Sequence, residues 1–585
     1  MKDYLEPKIW KVRSGEQSLA SFLDTLSHET GYSPITVKVL AGRGLKTQDE
    51  IRKFFAPRLD SLTHPLTIKD MSVAVERLAK ALESGEKVRV FGDYDVDGTT
   101  AAALLTWIFR DLDFVFDVRQ PDRFKDGYGL GVAAVEQAYH EGARVMVTVD
   151  CGITSFAAAE RAHELGLDLI VVDHHQVDPA RGLPKAHAVV NPQRSDCESG
   201  LKMLCGCGLA FYLAMALRAH GRDAGWFEGR ELPNLKEHLD LVAIATAADQ
   251  VPLLGDNRVL MKHGLEMIQA SKKPGVRALI EMAGLTRREI SPGHLGFVIG
   301  PRINASGRMQ SASTAWELLT TEDASQASAL ASELERLNKE RAECQNEIWD
   351  DVRARVEQGI ANGLYQNAVV VGDPGWHEGV VGIVASRVTE IFRRPAVVIS
   401  LREDLGKGSV RSCNGKDVLS ALRECADLLK TFGGHKYAAG LSLAPENLDA
   451  FAKEFDASVG RLAVVAEEKV LWIEDRCELS DLDWKTFREL EAMGPFGPGN
   501  PEPVFAFSAK VSTRQVLKGR HLKLNLAPVE QKARPLEAIW FHAGESEHFL
   551  EKIRVDTVSE WAAVPEINRF AGRVTPTLRI KDWRG

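Results

Sequence analysis

From about residue 84 to 192, short apolar runs alternate with segments of helical period. The runs at 88–91, 114–118, 145–149, 169–172 and 188–190 predict strands, and 99–109, 132–139 and 155–165 predict the helices between them. Units of this kind build a parallel sheet. Residues 235–320 read as largely helical, and 324–361 form a charged amphipathic stretch without proline, predicting one long helix that connects two domains. A second α/β pattern follows, with strands expected at 367–371, 396–399 and 441–443. Two Gly-rich segments, Gly406-Lys-Gly-Ser-Val-Arg-Ser412 and Phe432-Gly-Gly-His435, read there as turns. Beyond about 465 the pattern changes to short alternating runs at 470–473, 504–511, 522–526, 536–541 and 576–580, broken by the Pro/Gly-rich segment 494–501. That pattern predicts a small OB-like β-barrel.

The expected architecture is multidomain α/β. An N-terminal segment (1–75) precedes a parallel-sheet domain (76–322), a connecting helix (323–362), a smaller α/β domain (363–462) and the barrel (463–585). A chain of 585 residues suits several cores rather than one. Its 73 basic and 82 acidic residues give a net charge of -9, so a nucleic-acid site must be a local patch. The stretch 504–529 carries Lys510, Arg514, Lys518, Arg520 and Lys523 with no acidic residue, as either a phosphate-tracking groove or a solvated face. Residues 1–14 have no signal-type apolar core, and no stretch approaches the roughly 20 apolar residues that span a bilayer. A cytoplasmic protein with no membrane partner is expected. The eight cysteines are scattered, and Cys205-Gly-Cys207 lacks zinc-knuckle spacing, so reduced thiols are expected.

Asp93, Asp95 and Asp97 crowd into five positions after the first strand. Carboxylates this close raise one another's pKa unless a cation neutralises them. The spacing superficially matches an EF-hand loop, but Leu104 stands where that loop needs a bidentate Glu. A helix cap would account for one of these acids, with Asp97 the candidate, but not for three. Asp150, Asp173-His174-His175 and Asp249 end other apolar segments, and open parallel sheets gather ligands at that edge. Oxygen donors with one or two imidazoles favour Mn²⁺ or Mg²⁺, and this many carboxylates suits two ions. Asp95, Asp97, Asp150 and Asp249 would hold them, with Asp150 as the bridge, His174 completing the set and Asp93 a further donor. His175 should point away from His174 and meet the scissile phosphate of a phosphoester.

The motifs Gly92-Asp-Tyr-Asp-Val-Asp-Gly98, Val149-Asp-Cys-Gly152, Asp173-His-His175 and Ala248-Asp249 resemble, in order, those of the DHH phosphoesterases. Arg123-Phe-Lys-Asp-Gly-Tyr-Gly129, Gly300-Pro-Arg-Ile-Asn-Ala-Ser-Gly-Arg308, the segment 376–387, Gly408-Ser-Val-Arg-Ser412, Phe432-Gly-Gly-His435 and Pro495-Phe-Gly-Pro-Gly-Asn500 narrow the resemblance to the bacterial single-strand-specific 5′→3′ DNA exonucleases of that family. It covers nearly the whole chain and implies a DHH domain, a DHHA1 domain and an OB-fold, with the metals at the base of a groove too narrow for a duplex. It further implies that Tyr128 stacks on a base, that Arg123 contacts the backbone, and that Arg302, Ser409 and Arg411 receive the 5′ end. Asn304, Arg308 and His435 would also bind substrate. The alternative for Arg302 is a salt bridge at a domain interface. Single-stranded DNA-binding protein and a RecQ-like helicase are the partners the resemblance suggests, to a monomer acting in repair and recombination. Phe91 departs from the family pattern, which often has His there. Two other readings compete. An enzyme for short oligoribonucleotides would have no use for the barrel, and a binding scaffold would have lost the acids that this chain keeps.

Overall fold

The alternation between residues 84 and 192 folds as a five-stranded, fully parallel sheet. Strand β1 (Lys87–Gly92) is followed by α1 (Val96–Asp111), β2 (Phe116–Arg119), α2 (Val132–His140), β3 (Ala143–Val149), α3 (Phe156–Leu165), β4 (Asp168–Val172) and β5 (Ala188–Val190). The strand order is β2-β1-β3-β4-β5, so β1, β3 and β4 lie side by side and release their chain ends at one edge. The computed structural model describes residues 8–13, 20–127, 129–463, 469–530, 534–570 and 572–585. Tyr128 and most of the amino-terminal stretch read above lie outside them.

The apolar periodicity of the helices explains their placement. Helices α4 (Gly206–Asp223) and α5 (Leu239–Ala248) are buried along most of their length and pack on α1. A π-helical turn, Leu295–Ile299, leads into α6 (Gly300–Met309), which packs against the long helix α7 (Ala324–Ala361). Asp323 caps α7, its side chain accepting the Gln326 N–H.

The smaller α/β layer holds β6 (Val369–Asp373), α8 (Val381–Phe392), β7 (Ala396–Leu401), β8 (Gly406–Arg411), β9 (Thr431–His435) and β10 (Ala438–Leu443), in sheet order β9-β10-β8-β7-β6. The two Gly-rich segments are therefore strands β8 and β9, not turns. Gly408 pairs with Ile399 on one side and Leu441 on the other, whose large side chains fill the space beside it. These residues fall in one compact unit, 63–251 with 263–467.

The other unit joins 1–62, 252–262 and 468–585. Strands β11 (Phe505–Leu517), β12 (His521–Ala527), β13 (Leu536–Trp540), β14 (Val558–Phe570) and β15 (Arg573–Arg584) pair in the order β11-β12-β13-β15-β14, and β14 returns to β11 to close a barrel. The sequence reading missed β14. The expected strand at 470–473 exists but pairs with Ile9–Val12, outside the barrel. Leu26, Val37, Leu40 and Ile51 share one apolar core with Phe487, Phe505, Leu524 and Trp561, so residues 20–62 belong to the barrel's unit. The Pro/Gly-rich segment is pinned by two arginines. Arg43 donates to Asn500 Oδ1 (2.5 Å) and the Pro501 carbonyl (2.8 Å), and Arg258 donates to the Gly494 carbonyl (2.8 Å).

The basic stretch is largely neutralised. Lys510 pairs with Asp556 (2.8 Å), Arg520 with Glu545 (3.1 Å) and Lys523 with Glu537 (2.6 Å), while Arg514 donates to the Ile553 carbonyl (2.7 Å). Those acids come from segments folded alongside, which a linear scan does not show.

Candidate metal and phosphate site

The loop after β1, the residue after β3, the pair after β4 and the end of α5 converge. Asp97 Oδ2 lies 3.7 Å from His174 Nε2, Asp150 Oδ1 3.1 Å from the same atom, and Asp249 Oδ2 3.9 Å from His174 Nδ1. Asp93, Asp95 and Asp150 form an adjoining set whose donor atoms lie within 4.8 Å of one another. Asp150 thus belongs to groups on both sides, and its backbone adopts φ +62°, a left-handed conformation that aims the carboxylate away from the strand direction.

Each acid is positioned by its neighbours. The cap of α1 is Asp95 rather than Asp97, accepting the N–H groups of Asp97 (2.9 Å) and Gly98 (3.2 Å). Asp97 instead faces the N-terminus of α4, accepting the N–H groups of Gly206 (2.6 Å) and Cys207 (2.7 Å). A Cβ on Gly206 would stand 2.7 Å from the Asp150 Cβ, so this approach needs glycine. Phe91 is 3 % exposed and packs with Val135, Met146 and Leu130 in an apolar cluster, so this position supplies no donor, and the donors following β1 are Asp93, Asp95 and Asp97.

The electrostatics are those of a site built for cations. Asp93 is only 2 % exposed, and burial, followed by the charge of Asp95, pushes its pKa up to about 8. Asp249 reaches about 8 through burial and the charges of Asp97 and Asp95. Burial and neighbouring carboxylates also raise Asp97 and raise Asp150 well above the usual range. Asp93 Oδ1 is buried with no hydrogen-bond partner among the described residues, and Asp150 Oδ1 has the His174 ring nitrogen 3.1 Å away without a well-aligned hydrogen bond, a costly state that a cation would relieve. Carboxylate oxygens with imidazole nitrogen fit Mn²⁺ or Mg²⁺.

The two histidines do not diverge as expected. Their ring centroids lie 4.6 Å apart, because Asp173 Oδ1 accepts both the His175 N–H (3.1 Å) and Nδ1 (2.7 Å) and draws that ring inward. Nδ1 is the atom 3.9 Å from Asp150, and its bond to Asp173 withdraws it from ligation. Although burial opposes it, the hydrogen bond and charge of Asp173 raise His175 to about 9.

Beside the acids lies a group of arginines. Arg308 is held down to about 10 by burial and then by Arg123 and Arg341, while Asp95 pulls the other way. Arg411 is lowered by burial and by Arg123, and its bonds run to Ser409 Oγ (2.7 Å), Ser386 Oγ (3.2 Å) and the Val410 carbonyl (2.9 Å), none of them a carboxylate. Arg123 stacks over the Tyr94 ring at 4.9 Å, inside the loop that bears the acids. Sequence reading missed Arg341, which donates to Asn338 and Gln345 on α7. No signal in that uniformly charged helix distinguishes it. Arg302 pairs with Glu335 of α7 (2.8 Å) and donates to the Val298 carbonyl (2.7 Å), as the salt-bridge alternative allowed, with the long helix as the partner element. Asn304 is half-buried on α6. His435 is exposed on edge strand β9, its ring edge-on to Tyr437 at 6.3 Å.

Residues 87–246 match the DHH family, N-terminal domain; 363–461 match the DHHA1 domain; and 473–582 match the RecJ OB domain. The single-stranded-DNA-specific exonuclease RecJ of Dickeya dadantii is 39 % identical over 84 % of this chain and 86 % of its own length. The RecJ of Escherichia coli is 37 % identical over 85 % and 87 %. The crystal structure of RecJ from Thermus thermophilus in complex with Mn²⁺ superposes with a TM-score of 0.80 at 31 % identity, covering 99 % of this chain and 79 % of that one. A Mg²⁺ complex of the same protein matches with a TM-score of 0.75.

Proposed function

The chain belongs to the RecJ family of single-stranded-DNA-specific exonucleases, and from that premise we infer that it hydrolyses single-stranded DNA from the 5′ end and releases 5′-mononucleotides. It is a metal-dependent enzyme whose cofactor is Mn²⁺ or Mg²⁺, in keeping with its donor set and with its metal-bound relatives. The observation that carries the reading is the juxtaposition of buried, mutually repelling carboxylates with guanidiniums that have no carboxylate partner among the described residues, linked through Asp95 and Arg308. Cations held by the carboxylates, with a phosphodiester reaching from them to the guanidiniums, would satisfy both.

Asp95, Asp97, Asp150, Asp249 and His174, with Asp93, would hold two ions, which supply an activated water and charge neutralisation at the attacking and leaving oxygens. The α4 N–H groups fix Asp97, and Asp173 fixes the His175 ring so that its remaining nitrogen meets the scissile phosphate. The hydrogen bond and charge of Asp173 favour the protonated form of His175, which would offer positive charge to that phosphate. Arg411 and Ser409 receive the terminal phosphate, with Arg123 and Arg308 on the backbone between pocket and metals. Asn304 and His435 stand further along the strand, and Tyr128 stacks on a base near the cut. Such an enzyme works in repair and recombination in the cytoplasm as a monomer. A RecQ-like helicase generates its substrate, and single-stranded DNA-binding protein keeps that substrate open.

One strand labelled separately at its two ends, incubated with Mn²⁺ or Mg²⁺ and with a chelator control, tests this. The 5′ label should leave at once as a mononucleotide while the 3′ label persists on shrinking strands. Loss of the 3′ label first, or cleavage confined to very short oligomers, would overturn it.

A further inference from the structure

Phe297 is 73 % exposed, the most exposed of the large hydrophobic side chains among the described residues. It sits in the π-helical turn Leu295–Ile299, a rare conformation that is frequent at functional sites. Leu295 and Ile299, at either end of the turn, are buried, so the turn is anchored and the aromatic is held outward. Where the turn sits gives that exposure a meaning. A Cβ on Gly296 would stand 2.8 Å from the Ala247 carbonyl, and one on Gly300 3.5 Å from the Ala248 Cβ, so the turn lies flush on the end of α5 that delivers Asp249. On its other side it runs into α6, whose Gly307 abuts the Tyr94 carbonyl of the acidic loop. The turn that presents the exposed phenyl ring is thus seated on the helix end that delivers Asp249 and runs into the helix that abuts the acidic loop.

We propose that Phe297 is a base-stacking platform, taking the face of a nucleobase of the single strand beside the metal site; this rests on the exonuclease reading above. A rigidly presented phenyl face has no hydrogen-bonding preference, and every base has a π-face, so the contact holds strands of any sequence. Arg302 and Glu335 satisfy each other on α6 and α7 nearby, so this part of the wall grips through ring surface rather than charge.

The test compares wild type with Phe297→Ala, Phe297→Leu and Phe297→Trp on a 5′-labelled single strand and on one of equal length carrying abasic residues. Because the side chain is exposed, all four proteins should melt alike. Phe297→Ala should raise KM by roughly five- to a hundred-fold with kcat little changed. Phe297→Trp should restore it and Phe297→Leu should not. On the abasic strand wild type and Phe297→Ala should become equal. Wild-type KM in Phe297→Ala, or an equal loss on both strands, overturns the platform while leaving the nuclease intact. A wild-type chain that cuts neither strand overturns the exonuclease reading instead.

Discussion

The Asp97 carboxylate receives the backbone N–H of Cys207 at 2.7 Å, so a metal-site acid is fixed by a helix end rather than by another side chain. The same helix end brings Gly206 against Asp150. Gly206→Ala should therefore displace Asp150 and weaken Mn²⁺ binding about ten- to a hundred-fold, a range seen when groups supporting metal ligands are lost. Calorimetric titration of the metal-free protein measures this. Cys205→Ser, which keeps the backbone, should leave affinity within about two-fold.

Metal binding should depend on pH in a defined sense. With Asp93 and Asp249 at about 8 and His175 at about 9 in the metal-free state, protons occupy the site at neutrality and compete with the cation. Affinity should rise from pH 6 to about 9 and flatten above, with proton release visible as a buffer-dependent heat. For the two acids, the folded pKa lies above the unfolded one, so the native state binds more protons and the metal-free protein should lose stability as pH climbs through the window from about 4 to 8. Added Mn²⁺ should abolish that loss in thermal melts.

The two arginines read together from the sequence should part company in experiment. Arg411→Ala removes a guanidinium whose bonds run only to hydroxyls and a carbonyl, and should cut the preference for a 5′-phosphate over a 5′-hydroxyl end by roughly ten- to a hundred-fold. Arg302→Ala breaks a half-buried pair and should lower Tm, with Glu335→Ala adding little in the double variant.

Lys510, Arg520 and Lys523 already face acids, so replacing any one with Ala should change the salt slope of strand binding by much less than one unit. A full unit would mean that the strand displaces the acid partner.

Much of the parallel-sheet domain and the long helix after it was legible because apolar runs and turn residues agree: 188–190 in the sheet and 324–361 in the helix match the observed elements residue for residue. The acids were legible because like charge is rarely stacked without cause. Less visible was anything decided by partners distant in sequence. Gly408 lies in a strand because Ile399 and Leu441 flank it, Arg302 is spoken for by Glu335, and Asp173 turns His175 toward His174. Neither propensity nor spacing encodes those choices.

The left-handed backbone at Asp150 bears on how this fold could change over generations. At φ +62° the position tolerates Asn or Gly nearly as well as Asp, and Asp becomes either by a single-base codon change. The residue most central to the acids is thus also one whose loss need not disturb the sheet. A descendant could fall silent in one step and persist as a well-folded strand-binding protein, open to recruitment for other work.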